Sequence, residues 1–532
     1  MGCASGKPEE EQAPMQRMPS SREMAKEVSQ SHADLAELLA ADSFAAPAEF
    51  PTEPEHDEDR GEPPEDEQDA PTGTAESAPT DIKTAPAKKQ KQKKKKKKVA
   101  VVPVITPNQA HMPPLRDVHA SAKKRMLWAA RDGKSIEPIL RSGAIALLDA
   151  EWVVKLAANK GVLAPRQLLP PEAFATVEEV IAATTDGDPF ATSLPIICIS
   201  YPWLTPDHPD PFGENLAKIG KALRLMLAEE VKRCPRYFVM WDWASLHQHQ
   251  GRPENGKRRL EMENVLFKQA LDALMPSFYS HASTTVWMLT KFPKNYLAAP
   301  RYKKRLAAHA KATGMEPNTS QYAHRGWCFT ESSVAAMVKG TWFLLDLGRV
   351  SPNAQTWSDM LIQGRYGRRP PLTPADFAAE LKQKKFTNGK DDHPLVEGMY
   401  QKTYGSCFRK TWFLDYRLLN WGDAEAKAIA ALLQSGATPN LRWLRLFANG
   451  VGPEGMKAVV RALANTKKVT HVQMFRNQMG DAGLMALAEA LAADHAFLPR
   501  LREVQIAENG ASDQAKAALK KAVKARHARC VC

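Results

Sequence analysis

One pattern of residues occurs three times in the chain, as LRWLRLFANG at residues 441–450, VTHVQMFRNQ at 469–478 and LREVQIAENG at 501–510. Each copy has apolar residues at its first, fourth and sixth positions and an asparagine at its ninth. An alanine-rich stretch with helical spacing follows each copy, at 453–463, 482–491 and 512–523. Repeats of this length are typical of a solenoid, in which each strand-and-helix coil buries its apolar face against its neighbours. The sequence therefore predicts a stack of coils, with a weaker first coil at 420–433.

The pattern L-x-x-L-x-L-x-x-N resembles that of leucine-rich repeats, and the coil length is similar to that of the ribonuclease-inhibitor class. In such repeats the alternate strand positions line the concave face. Aromatic and arginine side chains dominate binding hot spots, so we predict that this face binds a protein partner. Packing against a neighbouring domain is the alternative. The positions concerned are Trp443, Arg445, Phe447, His471, Gln473 and Phe475.

A second region, residues 191–348, alternates short apolar runs with helical stretches, which predicts an α/β domain around a mostly parallel sheet. The apolar runs are LPIICISY at 194–201, YFVMWDW at 237–243, TTVWML at 284–289 and TWFLLDL at 341–347. Ligands of such sheets bind outside the carboxyl ends of the strands. The polar and aromatic residues expected there are Ser200, Trp203, Asp242 and His247, with Trp327 and Glu331 in a later helix.

The order of motifs in this region resembles the fungal heterokaryon-incompatibility domain and the related TIR domain. The motifs are ISYPWL at 199–204, VMWDWASLHQ at 239–248, FKQALDALMPSFYSHASTTVWML at 267–289 and RGWCFTE at 325–331. The resemblance implies a flavodoxin-like fold and a signalling role. It also implies NAD as a substrate, with no cofactor required. The sequence departs from the family at 245–248, where Ser-Leu-His-Gln replaces the usual Cys-Ile-Asn-Gln, and it has no glycine-rich phosphate loop.

The resemblance assigns roles to individual residues. Glu331 would be the glutamate of NAD cleavage, with Asp242 as a second catalytic carboxylate. Ser200 and His247 would line the same cleft, and Trp203 or Trp327 would stack on a base of the substrate. The alternative is a catalytically inactive adaptor or scaffold, because a fold alone does not determine an activity.

The first 118 residues are rich in Pro, Glu, Gln, Lys and Ala, a composition that predicts a disordered arm. The arm begins MGCASGKP, which predicts myristoylation of Gly2 and palmitoylation of Cys3, although Gly6 stands where the pattern has Ser or Thr. A lysine run at 88–98 would bind an anionic membrane surface. The alternatives for that run are a solvated block of charge, a nuclear-import signal or a nonspecific nucleic-acid contact, of which the last is not expected. We therefore expect a cytoplasmic protein held peripherally at a membrane by a lipid anchor.

The rest of the chain divides into smaller parts. Residues 119–190 form a predicted helical lead-in with helices at 121–133 and 136–159, residues 349–412 a linker, 413–526 the repeats and 527–532 a cysteine-containing tail. No apolar run is long enough for a transmembrane helix. The seven cysteines are scattered without a C-x-x-C pair, so we expect neither disulfides nor a metal site. Self-association through the α/β domain is a further expectation.

Overall fold

The computed structural model describes residues 118–185, 193–230, 234, 236–249, 259–294, 296–314, 316–386 and 389–532. These residues contain two five-stranded sheets covered by helices. The prediction of a mixed α/β protein with parallel strands is therefore confirmed. Across these same ranges, no helix combines the length and the apolar character needed to cross a bilayer. Gly2, Cys3 and the lysine run at 88–98 lie outside the described residues.

The first sheet has the strand order β1-β3-β2-β4-β5. β2 to β5 are parallel, and β1 joins β3 in the antiparallel sense. Alternate residues of the strands enter two separate hydrophobic clusters, one on each face, as expected of a sheet covered on both sides. The strands are β1 (Leu148–Asp149), β2 (Ile196–Ser200), β3 (Phe238–Met240), β4 (Thr285–Met288) and β5 (Leu344–Asp346).

Twelve described α-helices precede the repeats, and a π-helical turn, Leu274–Tyr279, continues the seventh of them. They are α1 (Ala122–Ala130), α2 (Glu137–Arg141), α3 (Ala150–Ala158), α4 (Val177–Ala183), α5 (Glu214–Glu230), α6 (Asp242–Ser245), α7 (Glu261–Ala273), α8 (Pro300–Thr313), α9 (Gly326–Ala335), α10 (Trp357–Gly364), α11 (Pro374–Leu381) and α12 (Gly389–Lys410). The four strands predicted between residues 194 and 347 are all present. Each is shorter than its apolar run.

The single helix predicted at 136–159 is wrong, because the chain forms α2, β1 and α3 there. Gly143 has a φ of +73°, a left-handed conformation in which an α-helix cannot continue. The carboxylate of Asp149 then accepts a hydrogen bond from the Trp152 amide at 3.0 Å and caps the start of α3. The intervening residues are buried, so the apolar periodicity of this stretch reflects the core and not one continuous helix.

The second sheet is fully parallel, with its strands in the order of the sequence. A helix follows each of the first four strands, as the repeats predict. The predicted tail at 527–532 contains the fifth strand, which pairs with the fourth. The elements are β6 (Phe413–Asp415), α13 (Asp423–Gln434), β7 (Trp443–Arg445), α14 (Pro453–Leu463), β8 (His471–Gln473), α15 (Gly480–Ala493), β9 (Glu503–Gln505), α16 (Asp513–Ala525) and β10 (Arg529–Val531).

The asparagine of each coil forms a ladder of hydrogen bonds inside the stack. The Asn477 amide nitrogen donates to the carbonyls of Leu446 and Met474, each at 3.0 Å, and its oxygen accepts from the Val451 amide at 3.1 Å. Each asparagine therefore satisfies backbone groups where the strand turns toward its helix. The residue before each ladder position has a positive φ, namely Leu418, Ala448, Arg476 and Glu508. This recurrence extends the repeat to the weaker first coil.

The repeats and the α/β domain share one core. A single hydrophobic cluster runs from Trp128 in α1 to Val523 in α16. Residues 349–412, which we interpret from composition as a linker, contain α10 to α12 and add Phe377 and Tyr400 to that cluster. In the first coil Leu419 occupies the ladder position. Trp421, two residues further on, donates through its indole nitrogen to the Arg368 carbonyl at 2.8 Å. This segment thus joins the first coil to the rest of the core.

Candidate functional site

Two carboxylates lie at the carboxyl ends of β2 and β3. Ser200, the final residue of β2, donates a hydrogen bond to Oε2 of Glu331 in α9 at 2.6 Å. The next residue, Tyr201, donates to Oδ1 of Asp242 at 2.7 Å. Neighbouring residues at one strand end therefore hold both of the acids that the sequence predicts as catalytic.

Asp242 accepts several hydrogen bonds. Besides Tyr201, its carboxylate accepts from the Trp203 indole at 3.3 Å and from the Trp243 amide at 2.7 Å. Burial raises the pKa of Asp242, and these three donors act against that rise because they favour the ionised form. The three donors thus offset part of the cost of ionising a carboxyl group at this position.

Glu331 is in a more apolar environment, with 8 % of its surface exposed. Burial raises its pKa well above the ordinary value, the charge of Asp242 raises it further, and the Ser200 hydrogen bond acts in the opposite direction. Ser200 is also joined to the Tyr322 hydroxyl at 2.6 Å. The arrangement therefore brings together two carboxyl groups whose pKa is raised by burial, Glu331 with one hydrogen-bond donor and Asp242 with three. Such pairs support acid–base chemistry.

The other two predicted ligand-binding residues make different contacts. Nδ1 of His247 lies 3.4 Å from Oε1 of Glu263 in α7. The Trp327 indole donates to Oδ2 of Asp392, in the first turn of α12, at 3.1 Å. The structure thus brings Ser200, Trp203, Asp242 and Glu331 together. His247 and Trp327 instead contact acidic residues of neighbouring helices.

Three further polar residues belong to this site, and the sequence analysis assigned none of them a role. Tyr201 and Tyr322 orient Asp242 and Ser200, and the Gln248 side chain donates to the Asp242 carbonyl at 2.9 Å. Tyr201 and Tyr322 are buried, and a buried tyrosine hydroxyl normally finds a hydrogen-bond partner. All three lie within or beside the motifs quoted above, so the motifs could have indicated that these residues belong to the site. Their partners were not visible without the fold.

The segment 292–318 covers the end of β2. The Tyr296 hydroxyl donates to the Leu204 carbonyl at 2.7 Å, and the Asn318 side chain donates to the Trp203 carbonyl at 2.9 Å. A small apolar cluster that includes Leu204 and Tyr302 fills the space beneath. A groove of about 510 Å³ lies along α8, but its lining does not include Glu331 or Asp242. Within the described part of the chain, no group of three His, Cys, Asp or Glu residues could hold a metal ion.

We expect Glu331→Gln to stabilise the protein, and more so at high pH. The folded pKa of Glu331 is raised, so its ionisation costs stability as the pH rises above the unfolded pKa of about 4.3. The amide removes that cost, so the melting temperature should rise by a few degrees near pH 8 and by less near pH 5. Thermal unfolding at both pH values measures this, with the exposed Glu172→Gln as control. Equal shifts at both pH values would contradict the assignment.

The parallel sheet of the repeats carries two stacked ring pairs. The rings of Trp443 and His471 lie 3.7 Å apart at 10°, and those of Phe447 and Phe475 lie 4.2 Å apart at 13°. Neighbouring strands are about 4.8 Å apart, a spacing at which side chains in register stack. The Arg445 guanidinium lies over the Phe413 ring, 4.9 Å from its centroid.

The six residues predicted for partner binding are therefore not equally accessible. Trp443, His471 and Phe475 are half-buried. Arg445, Phe447 and Gln473 are buried. Stacking along the strands accounts for part of this burial, since each buried ring or guanidinium lies against a ring of the next coil. A partner on this face would first meet the half-buried rings.

A family model described as "Leucine Rich repeat" matches residues 467–488. The match covers β8, the ladder residue Asn477 and the first part of α15. The prediction of leucine-rich repeats is confirmed for this coil, and such repeats are consistent with protein–protein interaction. No curated protein matches the chain.

Proposed function

We propose that this chain is a signalling protein whose repeats bind a protein partner through their concave face. The stacked pairs Trp443–His471 and Phe447–Phe475 are the observation that carries the proposal. Rings held by their neighbours lose little conformational entropy on binding, so the same contact area yields more affinity. Aromatic side chains in such positions are the common binding hot spots.

We expect Trp443→Ala to weaken capture of that partner about tenfold or more, since a hot-spot truncation costs over 1 kcal/mol. The experiment compares the full-length variant with wild type in quantitative pull-downs from the native cell. Met262→Ala is the control, because Met262 is exposed on α7 in the α/β domain. Equal recovery with all three proteins would reject the concave face as the binding surface.

A second candidate function is NAD cleavage by the α/β domain. Its support is the position of Glu331 and Asp242, which the neighbouring residues Ser200 and Tyr201 hold by hydrogen bonds at the end of β2. The strand order β3-β2-β4-β5 is also that of the first four strands of a flavodoxin-like sheet, the fold expected of a TIR-like domain. In this scheme Asp242 stabilises the positive charge that develops on the ribose as nicotinamide leaves, and Glu331 holds a ribose hydroxyl. Water then adds to the ribose carbon.

Full-length protein incubated with NAD should release nicotinamide, and Glu331→Ala should abolish the release. Glu172→Ala is the matched control, since it removes an exposed carboxylate of the same type. The half-exposed Trp203 and Asp242 mark the side from which NAD would enter. Absence of nicotinamide even under crowded or oligomerising conditions would favour the inactive adaptor.

We also propose that the arm tethers the protein to a membrane through acyl groups on Gly2 and Cys3 and through the lysines at 88–98. One acyl chain gives only marginal binding, so a second chain or a basic run is needed for a stable anchor. Mass measurement of the N-terminal peptide from native cells should show a myristoyl group on Gly2. A free or acetylated Met1 would exclude that anchor. Self-association stays a prediction that the same native material tests by cross-linking.

A further inference from the structure

Two thiols meet at the open end of the repeat stack. Cys530 is the central residue of β10, where it pairs with Val504, and Cys532 follows the strand. Their Sγ atoms are 2.7 Å apart. Both side chains are partly exposed, unlike the buried thiols of Cys198, Cys234 and Cys328. The arrangement places two accessible sulfur atoms in mutual contact at the edge of a sheet.

We propose that Cys530 and Cys532 are a reversible dithiol–disulfide site, and that its oxidation releases β10 from the edge of the repeat sheet. This inference is independent of the NAD chemistry proposed for the α/β domain. It adds a redox control to the end of the surface proposed for partner binding.

The geometry of a strand explains why the two states differ. Residues two apart in an extended strand have Cα atoms about 6.6 Å apart, from a rise of about 3.3 Å per residue. A disulfide prefers a Cα separation of about 5.5–6 Å. Closing the bond therefore contracts the chain around Val531. The hydrogen bond from the Ile506 amide to the Val531 carbonyl, 2.8 Å long, is the contact most directly affected.

The exchange needs a disulfide oxidant, for which glutathione disulfide is the natural class. The Cys532 thiolate attacks one sulfur of the oxidant and expels a glutathione thiolate, leaving a mixed disulfide. The Cys530 sulfur then loses its proton to solvent and attacks the Cys532 sulfur, which expels the second glutathione. Cys532 follows the strand, whereas Cys530 is paired with Val504 inside β10, so we take Cys532 as the thiol that reacts first. Burial also raises the pKa of Cys530, which disfavours its thiolate.

Release of β10 would expose a new binding edge. In the reduced form β10 pairs with β9, and Arg529 also lies 3.5 Å from Glu503. Without β10, the backbone groups of β9 lose their partner, and an unpaired strand edge accepts an extended segment from another chain. Oxidation would thus change which partners the end of the stack can bind.

The test treats the full chain with glutathione disulfide, followed by proteolysis and mass analysis. We expect the peptide that contains Cys530 and Cys532 to lose two hydrogen atoms, and dithiothreitol to restore them. Hydrogen exchange should show faster exchange of the Ile506 amide in the oxidised form. An unchanged peptide mass, or a disulfide between two chains, would show that Cys530 and Cys532 do not form the proposed disulfide with each other. A disulfide with unchanged Ile506 exchange overturns the release of β10.

Two variants sharpen the result. Cys530→Ser should trap the mixed disulfide on Cys532, since the second attack cannot occur. Cys407→Ser is the matched control. Like Cys530, Cys407 is a partly buried thiol, but it lies outside β10. The Cys407→Ser variant should oxidise like wild type. Trapping on Cys407, or none on Cys532, would contradict the proposed order of attack.

Discussion

Replacing Trp421 by alanine should lower the free energy of unfolding by about 3–5 kcal/mol, the range for a buried tryptophan. The side chain is 2 % exposed, packs on the Tyr416 ring at 5.1 Å and donates to the Arg368 carbonyl. Because the two sheets share a core, the loss should lower the stability of both. Urea unfolding followed by circular dichroism measures the change.

Trp412→Ala is the matched control for this substitution. Trp412 is 44 % exposed and lies just before the first strand of the repeats, so its removal should cost less than about 1 kcal/mol. Hydrogen exchange reports separately on β4 and on β8. If hydrogen exchange in Trp421→Ala became faster in β8 and did not change in β4, the two parts would unfold independently.

The second large effect is expected for Asn477→Ala. The side chain is buried, accepts from the Val451 amide and donates to two carbonyls that each also accept from a neighbouring ladder asparagine. The substitution therefore leaves the Val451 amide without its partner, and a buried backbone group left unpaired costs about 1–3 kcal/mol, which is the loss we expect. Thermal and urea unfolding should both detect it.

Asn465→Ala provides the comparison within the same repeats. Asn465 is exposed, in the loop after α14, and its substitution should change the free energy of unfolding by less than about 0.5 kcal/mol. If both variants lost a similar amount of unfolding free energy, the ladder would contribute little beyond the general effect of removing an asparagine.

The repeats could be predicted because each coil needs the same residues at the same places. The ladder asparagines Asn449, Asn477 and Asn509 mark three coils directly. The first coil was a weaker signal, since Leu419 takes the ladder position where the other coils have asparagine. β10 gave no signal, because the three residues 529–531 form a strand only through pairing with β9.

The carboxylate site was partly predictable. Ser200 and Asp242 follow apolar runs, and parallel strands bring such positions to one edge. The hydrogen-bond partners could not be foreseen, because Ser200 and Tyr322 are 122 residues apart in the chain. The burial that raises the pKa of Glu331 likewise depends on how the helices pack above the sheet.

The shared core also has a consequence for inheritance. A recombination break near residue 412 would cut between Phe408 and Leu414, both fully buried, and would leave apolar surface on each product. Exchange of the repeats for those of another protein is therefore disfavoured at this boundary. Duplication within the stack meets no such barrier, because an inner coil contacts mainly its neighbours. Descendants of this chain should differ in the number of coils more readily than in the pairing of the two parts.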